Sequence, residues 1–184
     1  MAQADRTRRV FLIGFMGAGK TTVGRALARR LGWAFCDLDD VIEERERKAI
    51  AAIFAEQGEA AFRQAESAAL EVLLQEREQG NRIVALGGGA FVQPQNRTAL
   101  EQAGAVTVLL EAPLEELRRR CRADNGSRVR PLAQQEDRFA ELLIARRPAY
   151  EQAQHRVQTM GKNVEEVAAE IECILAAASP EVKK

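Results

Sequence analysis

Histidine is nearly absent from this chain, which has one, His155, and cysteine is scarce, with three. Cys36, Cys121 and Cys173 are odd in number, far apart, and without CxxC or Cys/His spacing. Neither a disulfide framework nor a zinc site is therefore expected, and the three read as small buried hydrophobes in a reducing compartment. The lone His155 reads as a surface or strand-edge residue rather than a ligand or base. No apolar stretch approaches the roughly 18 residues of a membrane span. The polar start, residues 1–6, lacks the apolar core of a signal peptide, so a cytoplasmic location is expected. An excess of either charge is missing too: Lys+Arg and Asp+Glu both total 27, which offers nothing special to nucleic acid or an anionic membrane. Lysine is also rare, limited to Lys20, Lys48, Lys162, Lys183 and Lys184. Arginine carries the remaining positive charge and suits bidentate grips on phosphate and carboxylate.

What is present is an alternation of short apolar runs and helical patterns. Residues 9–13 (RVFLI) end at Gly14 as a buried strand would. Val23, Leu27 and Leu31 then recur at helical spacing over 21–31, closed by Gly32. Residues 33–36 predict a second strand, and Leu38, Val41 and Ile42 begin another helical pattern. An alanine-rich run with Ile50, Ile53 and Phe54 leads to a break at Gly58. Residues 59–79 predict a long helix with Phe62, Ala65, Ala69 and Leu73 inward, stopped by Gly80. Two more strands are predicted at 83–86 and 106–110, with a helix over 95–103 between them and Pro113 opening the next helix. Residues 124–135 contain Asn125, Gly126, Ser127 and Pro131 without apolar periodicity, which predicts an exposed, mobile loop. Helix resumes over 138–147, a weak strand follows at 156–159, and Asn163 with Glu166 predicts a capped start for the last helix. Residues 179–184 are expected to fray. At 184 residues the chain suits one domain, 1–184, of α/β class with a parallel sheet and helices on both faces. Ligands in such folds sit at the carboxyl ends of the strands. That rule brings residues 14–20, 37–39 and 87–89 to one edge.

Residues 14–21, GFMGAGKT, fit G-x-x-x-x-G-K-[ST] without mismatch, with a strand before and a helix after. Gly14, Gly17 and Gly19 permit backbone angles closed to other residues and let N–H groups approach phosphates. The helix that follows aims its positive end at the same anion. Lys20 supplies a charge to the β- and γ-phosphates, and the Thr21 hydroxyl suits Mg²⁺. The loop defines a nucleotide site, not a reaction.

The second substrate has to be read from scattered residues. Asp37 and Asp39 stand two apart at a strand end, so one suits a water-mediated hold on Mg²⁺ and the other a substrate hydroxyl. The alternative is that Asp39 only caps the next helix. Arg63 and Glu66 share a helix face beside Phe62, either to grip a carboxylate or as a solvated ion pair. Gly87, Gly88 and Gly89 follow a strand and suit close approach of a ligand, or a flexible turn. Arg128 and Arg130 lie in the mobile loop, where a lid arginine would put charge on the transferring group while water is excluded. Arg118, Arg119, Arg120 and Arg122 precede it and read mostly as a solvated face.

Taken in order, these pieces resemble the shikimate kinase family over nearly the whole chain, from Val10 to Leu175. The residues that carry the likeness run from Gly14 to Thr22, then Asp37-Leu-Asp39, Gly58-Glu-x-x-Phe62-Arg63-x-x-Glu66, Gly87-Gly-Gly89, Arg130-Pro-Leu132 and Arg146-x-Pro148-x-Tyr150. The resemblance implies a three-layer α/β/α P-loop fold with a five-stranded parallel sheet in the order 2-3-1-4-5 flanked by helices. It also implies a mobile lid at about 123–135 and a substrate-binding helical region at about 38–66. It implies phosphorylation of the 3-hydroxyl of shikimate by MgATP. Lys20, Asp39 and Arg130 would be catalytic. Gly17, Ala18, Gly19, Lys20, Thr21, Thr22, Arg122 and Arg130 would bind ATP, with Lys162 and Asn163 at the adenine loop. Asp39, Arg63, Gly87, Gly88, Gly89 and Arg146 would bind the acceptor, and Thr21 and Asp37 the Mg²⁺. The partners implied are these two small substrates, with neither nucleic acid nor membrane. A monomer is expected, since no exposed apolar helix face demands a partner. A gluconate-type kinase shares the phosphate loop but is not expected to combine Asp37-Leu-Asp39, Phe62-Arg63 and the triple glycine.

Overall fold

The computed structural model describes residues 8–76, 80–123 and 136–178. The expected lid lies almost wholly outside them, and with it Arg128, Arg130, Pro131 and Leu132.

Within the described residues the chain runs β1 (Arg9–Ile13), α1 (Lys20–Leu31), β2 (Ala34–Asp37), α2 (Leu38–Glu46), α3 (Ile50–Gln75) and β3 (Arg82–Ala85). A single 3₁₀ turn (Ala90–Val92) leads to α4 (Pro94–Gln102), β4 (Val106–Glu111) and α5 (Leu114–Ala123). Then come α6 (Glu136–Tyr150), β5 (His155–Gln158) and α7 (Val164–Ala177). The five strands form one parallel sheet in the order β2-β3-β1-β4-β5. β1 is central: Phe11 pairs with Val84 on one side and Thr107 on the other, and Val10 through Ile13 are at most 1% exposed. A strand buried on both faces has no use for alternation, which is why RVFLI reads as an unbroken apolar run.

Side-chain volume sets how closely α1 rides on the sheet. Gly24 lies against Phe35 and Leu12; a Cβ there would sit 2.5 Å from the Phe35 ring. α7 then packs on α1, and its start is secured by a reciprocal cap. Glu166 N donates to the Asn163 side chain while the Glu166 carboxylate accepts from Asn163 N.

Some element ends differ from expectation. α3 is written as one helix, but Gly58 has φ 80° and ψ 177°, so the expected break is a kink joining two helical halves. The second half ends at Gln75 rather than 79. α6 runs past Arg147 to Tyr150 with Pro148 inside it. A proline removes one N–H, and near a helix end that loss is small beside the burial of Ala149 and Tyr150. The cysteines depart further: Cys36 and Cys121 are half-buried but Cys173 is exposed, and all three are free thiols. His155 lies in β5 at the sheet edge, as expected. No helix among the described residues is long and apolar enough to cross a membrane.

Candidate active site

The carboxyl ends of β1, β2 and β3 open into a cleft of about 1620 Å³. Its floor is the β1–α1 loop. Gly14, Gly17 and Gly19 have φ of 148°, 79° and 93°, in the region that favours glycine. A side chain at Gly14 would also stand 2.5 Å from the Leu110 carbonyl. α1 begins at Lys20 with no side-chain cap and no acidic residue in its first turn, so its positive end is left for an anion. The Lys20 ammonium donates to the carbonyls of Gly14 (2.8 Å) and Phe15 (3.1 Å), which holds it across the loop mouth. Ala18, Gly19, Thr21 and Thr22 complete this wall of the cleft.

The two aspartates separate, as their spacing suggested. Asp37, 6% exposed, ends β2 and caps α2 by accepting from Asp39 N (3.1 Å), while its other oxygen accepts from the Thr21 hydroxyl (2.8 Å). The cap is therefore Asp37, and Asp39 lines the cleft. Thr21 and Asp37 present a hydroxyl and a carboxylate oxygen side by side. No cluster of three or more His, Cys, Asp or Glu that could hold a metal occurs among the described residues. The pair suits Mg²⁺, which takes few protein oxygens and fills its remaining positions from water and phosphate.

The three glycines after β3 are crowded, and by the site itself. A Cβ at Gly87 would lie 2.8 Å from Asp39 Oδ1 and 2.9 Å from Glu66 Oε1. At Gly88 it would meet Arg146 Nη1 at 3.1 Å, and at Gly89 the Arg63 guanidinium already fills the space. None of the three has positive φ. They are required for room, not for backbone freedom, and the room lets four charged side chains close on one stretch of backbone.

Each arginine of this group is braced. Arg63 donates to Glu66 (2.9 Å) and to Glu59 (3.1 Å) and lies 5.1 Å over the Phe62 ring. Glu66 is 1% exposed and also accepts from Gln93 (2.9 Å). Burial pushes its carboxyl above the ordinary range, with the Asp39 charge adding to the shift and Arg63 and Gln93 opposing it. Arg146 lies 5.7 Å over the Phe15 ring, which meets Phe139 edge-on at 4.9 Å. The neighbouring Arg147 is exposed and does not line the cleft, whereas Arg146 does.

At the far end stand Arg122, Lys162 and Asn163, as expected, together with Arg120. The α5 arginines are not a uniform solvated face. Arg119 pairs outward with Glu116, while Arg120 reaches the carbonyl and hydroxyl of Thr159 (3.1 and 2.9 Å) and the Gly17 carbonyl (3.5 Å). Arg120 thus ties α5, the phosphate loop and the end of β5 together. Sequence reasoning missed this role, as it missed Gln93 and the Tyr150 hydroxyl, which donates to Gly88 O. No sequence signal marked Arg120 among four arginines. For Tyr150 there was one, a lone tyrosine at a helix end. Of the residues expected in the site, Arg130 lies outside the described residues; the others named line this cleft.

Comparison with known proteins agrees with this geometry. The family profile described as shikimate kinase matches residues 16–175. A shikimate kinase of Geobacter sulfurreducens is 46% identical over 167 residues, covering 89% of this chain and 88% of the relative. The solved shikimate kinase from Acinetobacter baumannii in complex with shikimate superposes with a TM-score of 0.85 at 34% identity, covering 95% and 96% of the two chains. A gluconokinase from Sinorhizobium meliloti shares the fold alone, with a TM-score of 0.57 at 14% identity over 94% and 98%.

Proposed function

Because the chain belongs to the shikimate kinase family, it transfers the γ-phosphate of ATP to the 3-hydroxyl of shikimate, and we propose how the residues of the cleft divide that work. The nucleotide phosphates lie along Gly17–Thr22, held by backbone N–H groups and the end of α1. The base lies among Arg120, Arg122, Lys162 and Asn163. Lys20 leaves its carbonyl partners for the β- and γ-phosphates and, with Arg130, stabilises charge on the transferring group. Thr21 and, through water, Asp37 would hold Mg²⁺, which would neutralise phosphate charge.

The acceptor lies on the three glycines, within the helical region of about 38–66 and α6. Its carboxylate is gripped by Arg63 and Arg146, in the planar forks that suit it. Backbone at Gly87, Gly88 and Gly89 supports the ring. Asp39 accepts a hydrogen bond from the 3-hydroxyl and orients it, and it is placed to take the proton as that oxygen bonds to the γ-phosphorus and ADP leaves. Residues 123–135 close as a lid and exclude water, which otherwise competes for the phosphoryl group. This reading includes a single kinase domain, a monomer, and a cytoplasmic location.

The observation that carries it is the convergence of Asp39, Arg63 and Arg146 on Gly87–Gly89, beside the phosphate loop. Asp39→Asn tests it. In an assay of ADP release, shikimate-dependent turnover is expected to fall by roughly 10²- to 10⁴-fold while ATP affinity survives. Equal loss of ATP binding would make Asp39 a structural residue. Gluconate and quinate serve as control acceptors, and turnover of gluconate in place of shikimate would displace the acceptor assignment.

A further inference from the structure

Tyr150 takes no part in the chemistry above, yet its hydroxyl is built into the acceptor site. It is the only tyrosine of the chain, 4% exposed, at the end of α6. Its hydroxyl donates to the carbonyl of Gly88. The i, i+4 spacing places Tyr150 and Arg146 on one face of α6. Both close on one glycine: a Cβ at Gly88 would lie 3.1 Å from Arg146 Nη1 and 3.7 Å from the Tyr150 hydroxyl.

Two consequences follow from elementary geometry. First, Arg146 lies over the Phe15 ring and shares the space at Gly88 with the tyrosine oxygen. A long, rotamer-rich side chain held this way loses less freedom when it binds a carboxylate. Second, the Gly88 carbonyl and the Gly89 N–H belong to one planar trans peptide. Fixing the carbonyl fixes the direction of the N–H. A donor on the carbonyl also polarises that N–H toward any acceptor it meets.

We propose that Tyr150 is a positioning residue of the acceptor site, its single hydroxyl orienting Arg146 for the shikimate carboxylate and the Gly88–Gly89 peptide for the ring. The assignment rests on the carboxylate grip described above.

Tyr150→Phe removes only the oxygen. KM for shikimate is expected to rise roughly tenfold, with KM for ATP nearly unchanged. In an Arg146→Ala background the same change should raise KM for shikimate by a smaller factor, because one of its two targets is gone. Arg146→Ala alone separates this proposal from the reading beneath it. If it raises KM for shikimate and Tyr150→Phe does not, the positioning role is overturned and the grip stands. If Arg146→Ala has no effect on KM for shikimate, both fall. Equal rises in the two KM values for Tyr150→Phe would make the hydroxyl merely structural and overturn the proposal.

Discussion

The two halves of the cleft are built in different ways. The nucleotide half is mostly backbone: a run of consecutive residues turns between β1 and α1, and its positive φ angles and uncapped helix end are themselves the binding surface. The acceptor half is made of side chains from α2, α3 and α6, brought onto the three glycines after β3 and braced by Glu59, Glu66, Gln93, Phe15 and Tyr150. A phosphate needs many equivalent donors, and backbone N–H groups supply them wherever the chain curls. A carboxylate and a set of ring hydroxyls need unlike groups at fixed distances, which no short segment supplies.

If the halves are separable, their variants should divide cleanly. Lys20→Ala is expected to lower kcat by about 10³-fold or more and to weaken nucleotide binding. Calorimetry of shikimate in the absence of nucleotide should find its affinity within about twofold of the wild type. A parallel loss would join the halves into one unit.

Arg63→Ala is the complementary test. It should raise KM for shikimate by roughly 10²-fold, because it also strands the buried Glu66, and leave KM for ATP close to the wild-type value. An unchanged shikimate KM would move the carboxylate grip elsewhere.

Acidity should separate the halves more gently. Burial raises the Glu66 pKa, so on acidification Glu66 takes up a proton before an ordinary glutamate does at about 4.3. Its neutral form no longer holds Arg63 by charge. The shikimate KM is therefore expected to climb several-fold as pH falls through that raised pKa, while the ATP KM stays flat. Glu66→Gln should remove this limb and leave acceptor binding weakened at every pH. A limb that persists in the variant would belong to another group.

The smallest effect concerns the support beneath the nucleotide half. Asn163→Ala breaks the cap of α7, the helix packed on α1. It should lower stability by about 1 kcal/mol, about 2–4 °C in melting temperature for a chain of this size. An unchanged melting temperature would show that the cap contributes nothing and leave Asn163 only its place beside the base.

The same contrast explains what could be read before the structure. The phosphate loop was legible because its motif, its strand and its helix are contiguous. The strand order came from the family likeness; periodicity alone supports only an alternating α/β pattern. Asp37 and Asp39 were legible as a pair, but which one caps depends on where β2 stops, and one residue decides that. Arg63 read more readily as a solvated ion pair. That it lines the cleft beside a buried Glu66 is a property of the whole fold. Arg146 was named through the family likeness; that it lines the cleft and Arg147 does not follows from the phase of α6. Arg120 was missed because its partners, Thr159 and Gly17, are remote in sequence.

By itself the sequence determined the elements that local chemistry controls: the apolar run of β1, the glycines and lysine of the phosphate loop, the break at Gly58, and the Asn163–Glu166 cap. Each depends on neighbours a few residues away. Tertiary structure alone decided which arginines enter the cleft, which aspartate caps α2, and why three consecutive glycines are needed. Those outcomes depend on space and charge shared among β3, α2, α3 and α6, and a buried contact between distant segments has no local signature.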